Sequence, residues 1–152
     1  MTAYFDTSVI TKWYLPEPDS ADALRVRARF APPAVLTHLH RVELVTAWHL
    51  KIFRQEIPRE IVEQAWAHVE ADVAAGLWEL PIYDLADVYS QAESISRRYT
   101  AALGVRSLDI LHVAAALVLG ASAFVTQDDR QARLAKAVGL RVTTLHARGK
   151  QR

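Results

Sequence analysis

The stretch Ser107-Leu108-Asp109-Ile110-Leu111-His112-Val113-Ala114-Ala115-Ala116-Leu117, followed after Gly120 by Ala123-Phe124-Val125-Thr126-Gln127-Asp128, decides the fold class. Its first part is apolar all round apart from Asp109 and His112, the pattern of a buried helix capped by Ser107 and stopped by Gly120. Its second part is a short β-rich run that ends in an acid. Helix then buried strand is one unit of an alternating chain, and the unit recurs in both directions.

Towards the C-terminus, a helix through Leu134 and Ala137 ends at Gly139 and a strand follows from Leu140 to Leu145. Towards the N-terminus, the periodicity of Leu85, Val88, Ala92, Ile95 and Tyr99 marks a helix that Gly104 stops, and Leu77 to Tyr83 reads as a strand. Before it, a helix over Leu39 to Arg54 and a second one after Ile57-Pro58, carrying Ile61, Val62, Ala65, Trp66, Val69 and Val73, form a helical hairpin. Ala34 to Thr37 is a small β-rich run. Ahead of Pro32-Pro33, a helix capped by Asp19 or Ser20 places Ala21, Leu24 and Ala28 on one side. The chain starts with Tyr4-Phe5, a short strand ending at Asp6, and a helix over Val9 to Leu15 capped by Thr7 or Ser8.

Strands that alternate with helices are joined by crossovers, so the expected fold is α/β: three layers, α/β/α, around a central mostly parallel sheet, with the hairpin inserted. Functional groups in such sheets gather at the carboxyl ends of the strands. Residues 1–147 are expected to form a single domain and 148–152 a short basic tail, loosely held.

Composition narrows the chemistry. The 152 residues carry 18 Lys plus Arg against 17 Asp plus Glu, so the net charge of +1 gives no bulk attraction to nucleic acid. There is no Cys, which excludes disulfide frameworks, thiolate metal sites and Cys nucleophiles. The longest nearly uncharged run, Ile110 to Thr126, falls short of the roughly 20 apolar residues of a membrane span. With no export signal after Met1, the expected location is the cytoplasm, with no membrane association.

Most acids lie on polar helix faces or at caps; four do not. Asp6 and Asp128 close apolar strands, Asp109 sits in the first turn of an apolar helix, and Glu43 shares a wheel arc with Leu39, Val42, Ala47 and Leu50. Each has an ordinary explanation. Asp6 and Asp128 can cap helices, Asp109 can favour a helix N-terminus, and Glu43 can pair with Arg41 or Lys51. Together they ask for a counter-charge, because two carboxylates about 4 Å apart repel by roughly 4 kcal/mol at an effective dielectric of about 20. All-oxygen ligation points to magnesium or manganese, and a pair of such ions suits phosphodiester cleavage.

Asp6-Thr7-Ser8 after an N-terminal strand, a mid-chain helical Glu43, the Leu108 to Leu117 stretch and Phe-Val-Thr-x-Asp at 124–128, in this order, resemble the PIN-domain family. Length and motif order look like its VapC-type toxin ribonucleases. The resemblance implies that Asp6, Glu43, Asp109 and Asp128 are catalytic and bind Mg2+, with Mn2+ able to substitute. It implies an endoribonuclease that hydrolyses RNA by metal-activated water to 5′-phosphate and 3′-hydroxyl ends. It also implies inhibition by a VapB-type antitoxin and a homodimer. Ser8 and Thr126 match small hydroxyl positions expected to orient Asp6 and Asp128, and His112 is a supporting contact, a proton donor or a packed core residue. Arg106, next to Ser107, is the arginine expected at the mouth of an acidic pocket to meet RNA.

Other groups carry less. Asp129 reads as helix-start charge, and His38, His40, His49, His68 and His146 show no metal spacing, with His38 and His40 alternating across a strand end. Trp13, Trp48 and Trp66 read as core. Two competing readings are an inert PIN-like interaction module and a haloacid-dehalogenase-like phosphatase; the latter needs a second acid two residues after the first, where this chain has Ser8.

Overall fold

Alternation within the two central strands sets the layering. A strand turns successive side chains to opposite faces; accordingly Ala3, Phe5, Ala123 and Val125 enter one core and Tyr4 and Phe124 the other. A computed structural model describes residues 2–145; His146 and the 148–152 tail lie outside the described residues. In chain order the elements are β1 (Ala3–Phe5), α1 (Thr7–Tyr14), α2 (Ser20–Arg27), β2 (Ala34–Val35), α3 (His38–Phe53) and α4 (Arg59–Ala74). There follow β3 (Trp78–Glu79), α5 (Leu85–Leu103), α6 (Ser107–Val118), β4 (Ala123–Thr126), α7 (Asp129–Ala137) and β5 (Arg141–Thr144).

All pairings among the described strands are parallel. β1, β4 and β5 form a three-stranded sheet in that order, and β2 pairs with β3 in a second sheet whose strand β2 packs beside β1. Helices α1 to α4 cover one face, with Val9, Ile10, Leu44, Trp48, Val62 and Val69 in the core. Helices α5 to α7 cover the other, with Ile95, Ile110, Val113, the alanines 114–116 and Leu134. Ala114, Ala115 and Ala116 are buried in this core and α6 also packs against α5 and α7, which is why this helix reads as apolar on more than one side. The fold is the expected three-layer α/β/α, with α3 and α4 as the helical hairpin.

Several local readings change. Asp6 is the N-cap of α1, its carboxylate accepting from the Ser8 N–H, so Thr7 and Ser8 lie inside the helix. Arg106 holds the cap position of α6 with no side-chain bond, and Ser107 is the first helical residue. Helix α2 buries Ala23 and Val26; the face with Ala21, Leu24 and Ala28 is exposed. Strand β3 is two residues long instead of reaching Tyr83, because Pro81 has no N–H to donate to a ladder. Gly104 ends α5 in a left-handed conformation, φ 63°, that favours glycine.

His38 and His40 belong to the first turn of α3, not to a strand end. His40 is fully buried and ties that turn to β1: its Nε2 donates to the Phe5 carbonyl at 2.8 Å, and its Nδ1 accepts from the Thr37 N–H at 3.0 Å. Burial, then the nearby His112, holds His40 well below the usual imidazole range, against the pull of the Phe5 carbonyl. The folded state therefore binds this proton more weakly than the unfolded chain, and stability falls as pH drops below the unfolded value of about 6.5. The expected slope between about pH 6.5 and 5 approaches 1.4 kcal/mol per pH unit from this group. Urea denaturation across that range should show the slope in the wild type and its loss in His40→Gln.

Candidate functional site

The parallel pairing of β1 with β4 places two acids side by side. The Asp6 N–H extends the ladder to the Val125 carbonyl at 2.8 Å, and Asp128 lies two residues beyond Thr126 of β4, so both acids stand at the carboxyl edge. Each also caps a helix, Asp6 through the Ser8 N–H and Asp128 through the Gln131 N–H at 2.9 Å. Asp109 enters from the first turn of α6 and Glu43 from α3. The four carboxylates line one cavity of about 920 Å³.

Its walls differ in character. One is acidic. Another is formed by Leu39, Val42, Ala47 and Leu50 of α3, the arc that shares a side with Glu43. This arc is not core: Val42 is 64% and Leu50 41% exposed, while His40, Leu44 and Trp48 make the buried face of α3. A third side holds Lys12, buried, whose Nζ donates to Glu17 at 2.5 Å and to Asp19 at 2.7 Å.

Hydrogen bonds fix the aspartates. The Ser8 hydroxyl donates to Asp6 Oδ2. Thr126 acts on Asp128 through the backbone, accepting from its N–H at 3.0 Å, and donates to Gln131 Oε1 at 2.6 Å. Gln131, fully buried, then donates at 3.4 Å to both Asp6 Oδ1 and the Asp109 carbonyl, linking three acidic residues. Arg106 Nε lies 3.6 Å from Asp109 Oδ2, with a side chain 82% exposed at the cavity edge. Asp129 starts α7 on the exposed surface.

Glu43 stands in a different environment. Thr7 Oγ1 donates to its Oε2 at 2.7 Å, and His112 Nε2 contacts the same oxygen. Burial pushes the Glu43 carboxyl up, but the bond and electrostatic attraction from His112 and the Thr7 bond together hold it below the usual range. Asp109 goes the other way: burial, then repulsion from Asp128 and Asp6, pushes it up, against Arg106 and His112. Asp109 thus sits in the repulsive field of Asp128 and Asp6, and Glu43 is separately compensated.

The donor set suits a hard divalent cation, since it is made of oxygens and carries negative charge that Asp109 registers as repulsion. Among the described residues no group of three or more His, Asp or Glu is gathered closely enough to cage an ion unaided; magnesium commonly keeps several waters as ligands.

Lys12, Gln131, Thr7 and Tyr4 have no site role in the sequence reading. Only Gln131 carries a usable signal: Asp128-x-x-Gln131 has the spacing of a capping box, although its side chain turns to Thr126 and Asp6 instead of back to the cap.

The PIN domain family model matches residues 3–137. The chain belongs to the PIN domain family. PIN domains are typically nucleases and generally use divalent metal ions. Among solved structures, FitAcB from Neisseria gonorrhoeae is similar in fold, with a TM-score of 0.66 over 93% of this chain and 96% of that one, at 18% identity. No curated protein matches the sequence. No helix among the described residues is long and apolar enough to cross a membrane.

Two stability tests follow from this PIN cavity. Gln131→Leu leaves the Thr126 hydroxyl and one Asp6 oxygen without their partner and should cost about 1–3 kcal/mol in urea denaturation. Asp109→Asn removes a charge that the fold penalises, because a carboxyl raised in the folded state destabilises it at pH above the unfolded value. In metal-free buffer at pH 7 its Tm should exceed that of the wild type, and the difference should shrink as pH falls toward about 4 and vanish below it, where the carboxyl is neutral in both states.

Proposed function

We propose that this chain is a metal-dependent endoribonuclease of the VapC toxin type, cutting RNA to 5′-phosphate and 3′-hydroxyl ends and inhibited by a cognate antitoxin. The observation that carries the reading is the meeting of Asp6, Asp109 and Asp128, from β1, α6 and the end of β4, in one cavity where Asp109 feels the other two. Family membership supports the nuclease class.

In this reading Asp6, Asp109 and Asp128 hold Mg2+, for which Mn2+ substitutes. The bound cation supplies activation of the attacking water and neutralisation of charge that develops on the phosphate. Ser8 keeps Asp6 in place, Thr126 and Gln131 fix the backbone and cap at Asp128, and Glu43 binds the cation or takes a proton from water. Arg106, exposed beside Asp109, meets a phosphate of the entering strand. The exposed apolar arc of α3 is the surface an antitoxin segment covers, and the same resemblance supports a homodimer acting on RNA in the cytoplasm. The phosphatase alternative finds no support: Ser8 occupies the place of its second acid and bonds to Asp6.

The test is cleavage of a mixed structured RNA pool by the purified protein with Mg2+ or Mn2+, with EDTA, and with Asp6→Asn. Cleavage should need the metal, fall by roughly 10²-fold or more in Asp6→Asn, and leave 5′-phosphate ends on sequencing. Absence of both cleavage and Asp6-dependent divalent-ion binding by calorimetry would leave the inert interaction module as the reading.

A further inference from the structure

Glu43 is held by one oxygen. Thr7 Oγ1 and His112 Nε2 both reach Oε2, and among the described residues no hydrogen bond reaches Oε1, although the side chain lines the cavity. The side chain of Glu43 is 24% exposed, so this oxygen is open to solvent.

The hydrogens of this cluster can be assigned from geometry. The single Thr7 hydroxyl hydrogen lies on Glu43, at 2.7 Å, so toward His112 Nε2, at 3.3 Å, Thr7 offers only a lone pair. The Glu43 carboxylate also offers only lone pairs. Two acceptors therefore face Nε2, and Nε2 carries the hydrogen. On the other side of the ring Nδ1 lies 2.9 Å from the Tyr4 hydroxyl, which is fully buried on β1. A phenol carries its hydrogen at neutral pH, so Tyr4 can donate it to Nδ1. The neighbouring His40 ring, 4.9 Å away, is committed to Phe5 and Thr37 and does not compete.

We propose that Tyr4, His112 and Thr7 are positioning residues for Glu43: Tyr4 fixes the Nε2–H tautomer of His112, and His112 with Thr7 pins Oε2 so that Oε1 is presented to the cavity as proton acceptor. This assignment rests on the nuclease reading and refines it, setting Glu43 apart from the three aspartates instead of adding it to their ligand set. In the step, the water oxygen bonds to phosphorus as its proton passes to Oε1, the bond from phosphorus to the 3′ oxygen breaks, and that oxygen takes a proton from solvent. Glu43 then returns its proton to solvent.

The experiment compares the wild type with His112→Leu, His112→Gln, Tyr4→Phe, Thr7→Val and Thr7→Ser, with thermal melts to verify folding. His112→Leu should lower kcat by about 10- to 100-fold with KM for RNA little changed, and His112→Gln, which keeps an N–H donor, should restore much of it. Thr7→Ser should retain activity that Thr7→Val loses. Mn2+ affinity by calorimetry should stay at the wild-type value in all five variants. Long-range 1H–15N spectra should show the Nε2–H tautomer of His112 in the wild type and a mixture in Tyr4→Phe. A kcat for His112→Leu within about twofold of the wild type, or a parallel loss of Mn2+ affinity, overturns the proposal. So does an Nδ1–H or doubly protonated ring in the wild type. If the wild type cuts no RNA, the nuclease reading and the proton-acceptor role fall together, while the tautomer spectra still decide the hydrogen-bond relay by themselves.

Discussion

The parallel register of β1 on β4 is the constraint from which the cavity follows. Pairing Phe5 with Val125 sets the last residues of two strands, more than a hundred positions apart in sequence, at one edge of the sheet. Asp6 and Asp128 then line the same cavity. Because each also caps the helix that leaves its strand, the acids are fixed by backbone geometry as well as by side-chain contacts. Asp109 joins them because α6 packs on the same sheet with its first turn at that edge.

This arrangement trades stability for a concentration of negative charge. The fold offsets part of it with Gln131 and Ser8, which donate to Asp6, and with Arg106 beside Asp109. Lys12 lines another side of the cavity but is neutralised by Glu17 and Asp19, so it holds the Pro16–Asp19 segment more than it relieves the aspartates. The upward displacement of Asp109 is what remains uncompensated. Sites that carry such strain are commonly stabilised by substitutions that abolish their function.

The layering and the aspartates were legible because strand ends and first helical turns follow directly from hydrophobic pattern and breakers. Glu43 was singled out by its apolar arc, and the arc exists, but it lines a cavity instead of a core; one helix wheel cannot distinguish a buried apolar face from a recessed one. The hydroxyl of Thr7 and the phenol of Tyr4 were not legible, since their partners lie on α3 and α6, distant in sequence. His40 was misread for a related reason: its role depends on the Phe5 carbonyl on another element. Strand β3 was overextended because apolar character was weighed above the missing N–H of Pro81.

The order of elements along the chain has a consequence for biosynthesis. The ladder partner of β1 is β4, so Ala3 to Phe5 leave the ribosome long before Ala123 to Thr126 exist. During that interval the growing polypeptide gains Asp6, then Glu43 and Asp109, but has neither Asp128 nor the edge that would gather them, and closing so long a loop comes late in folding. A product cut short before β4 therefore has no assembled cavity and displays an unpaired apolar strand, a feature prone to aggregation. The complete pocket exists only once β4 and the residues that follow it have been made.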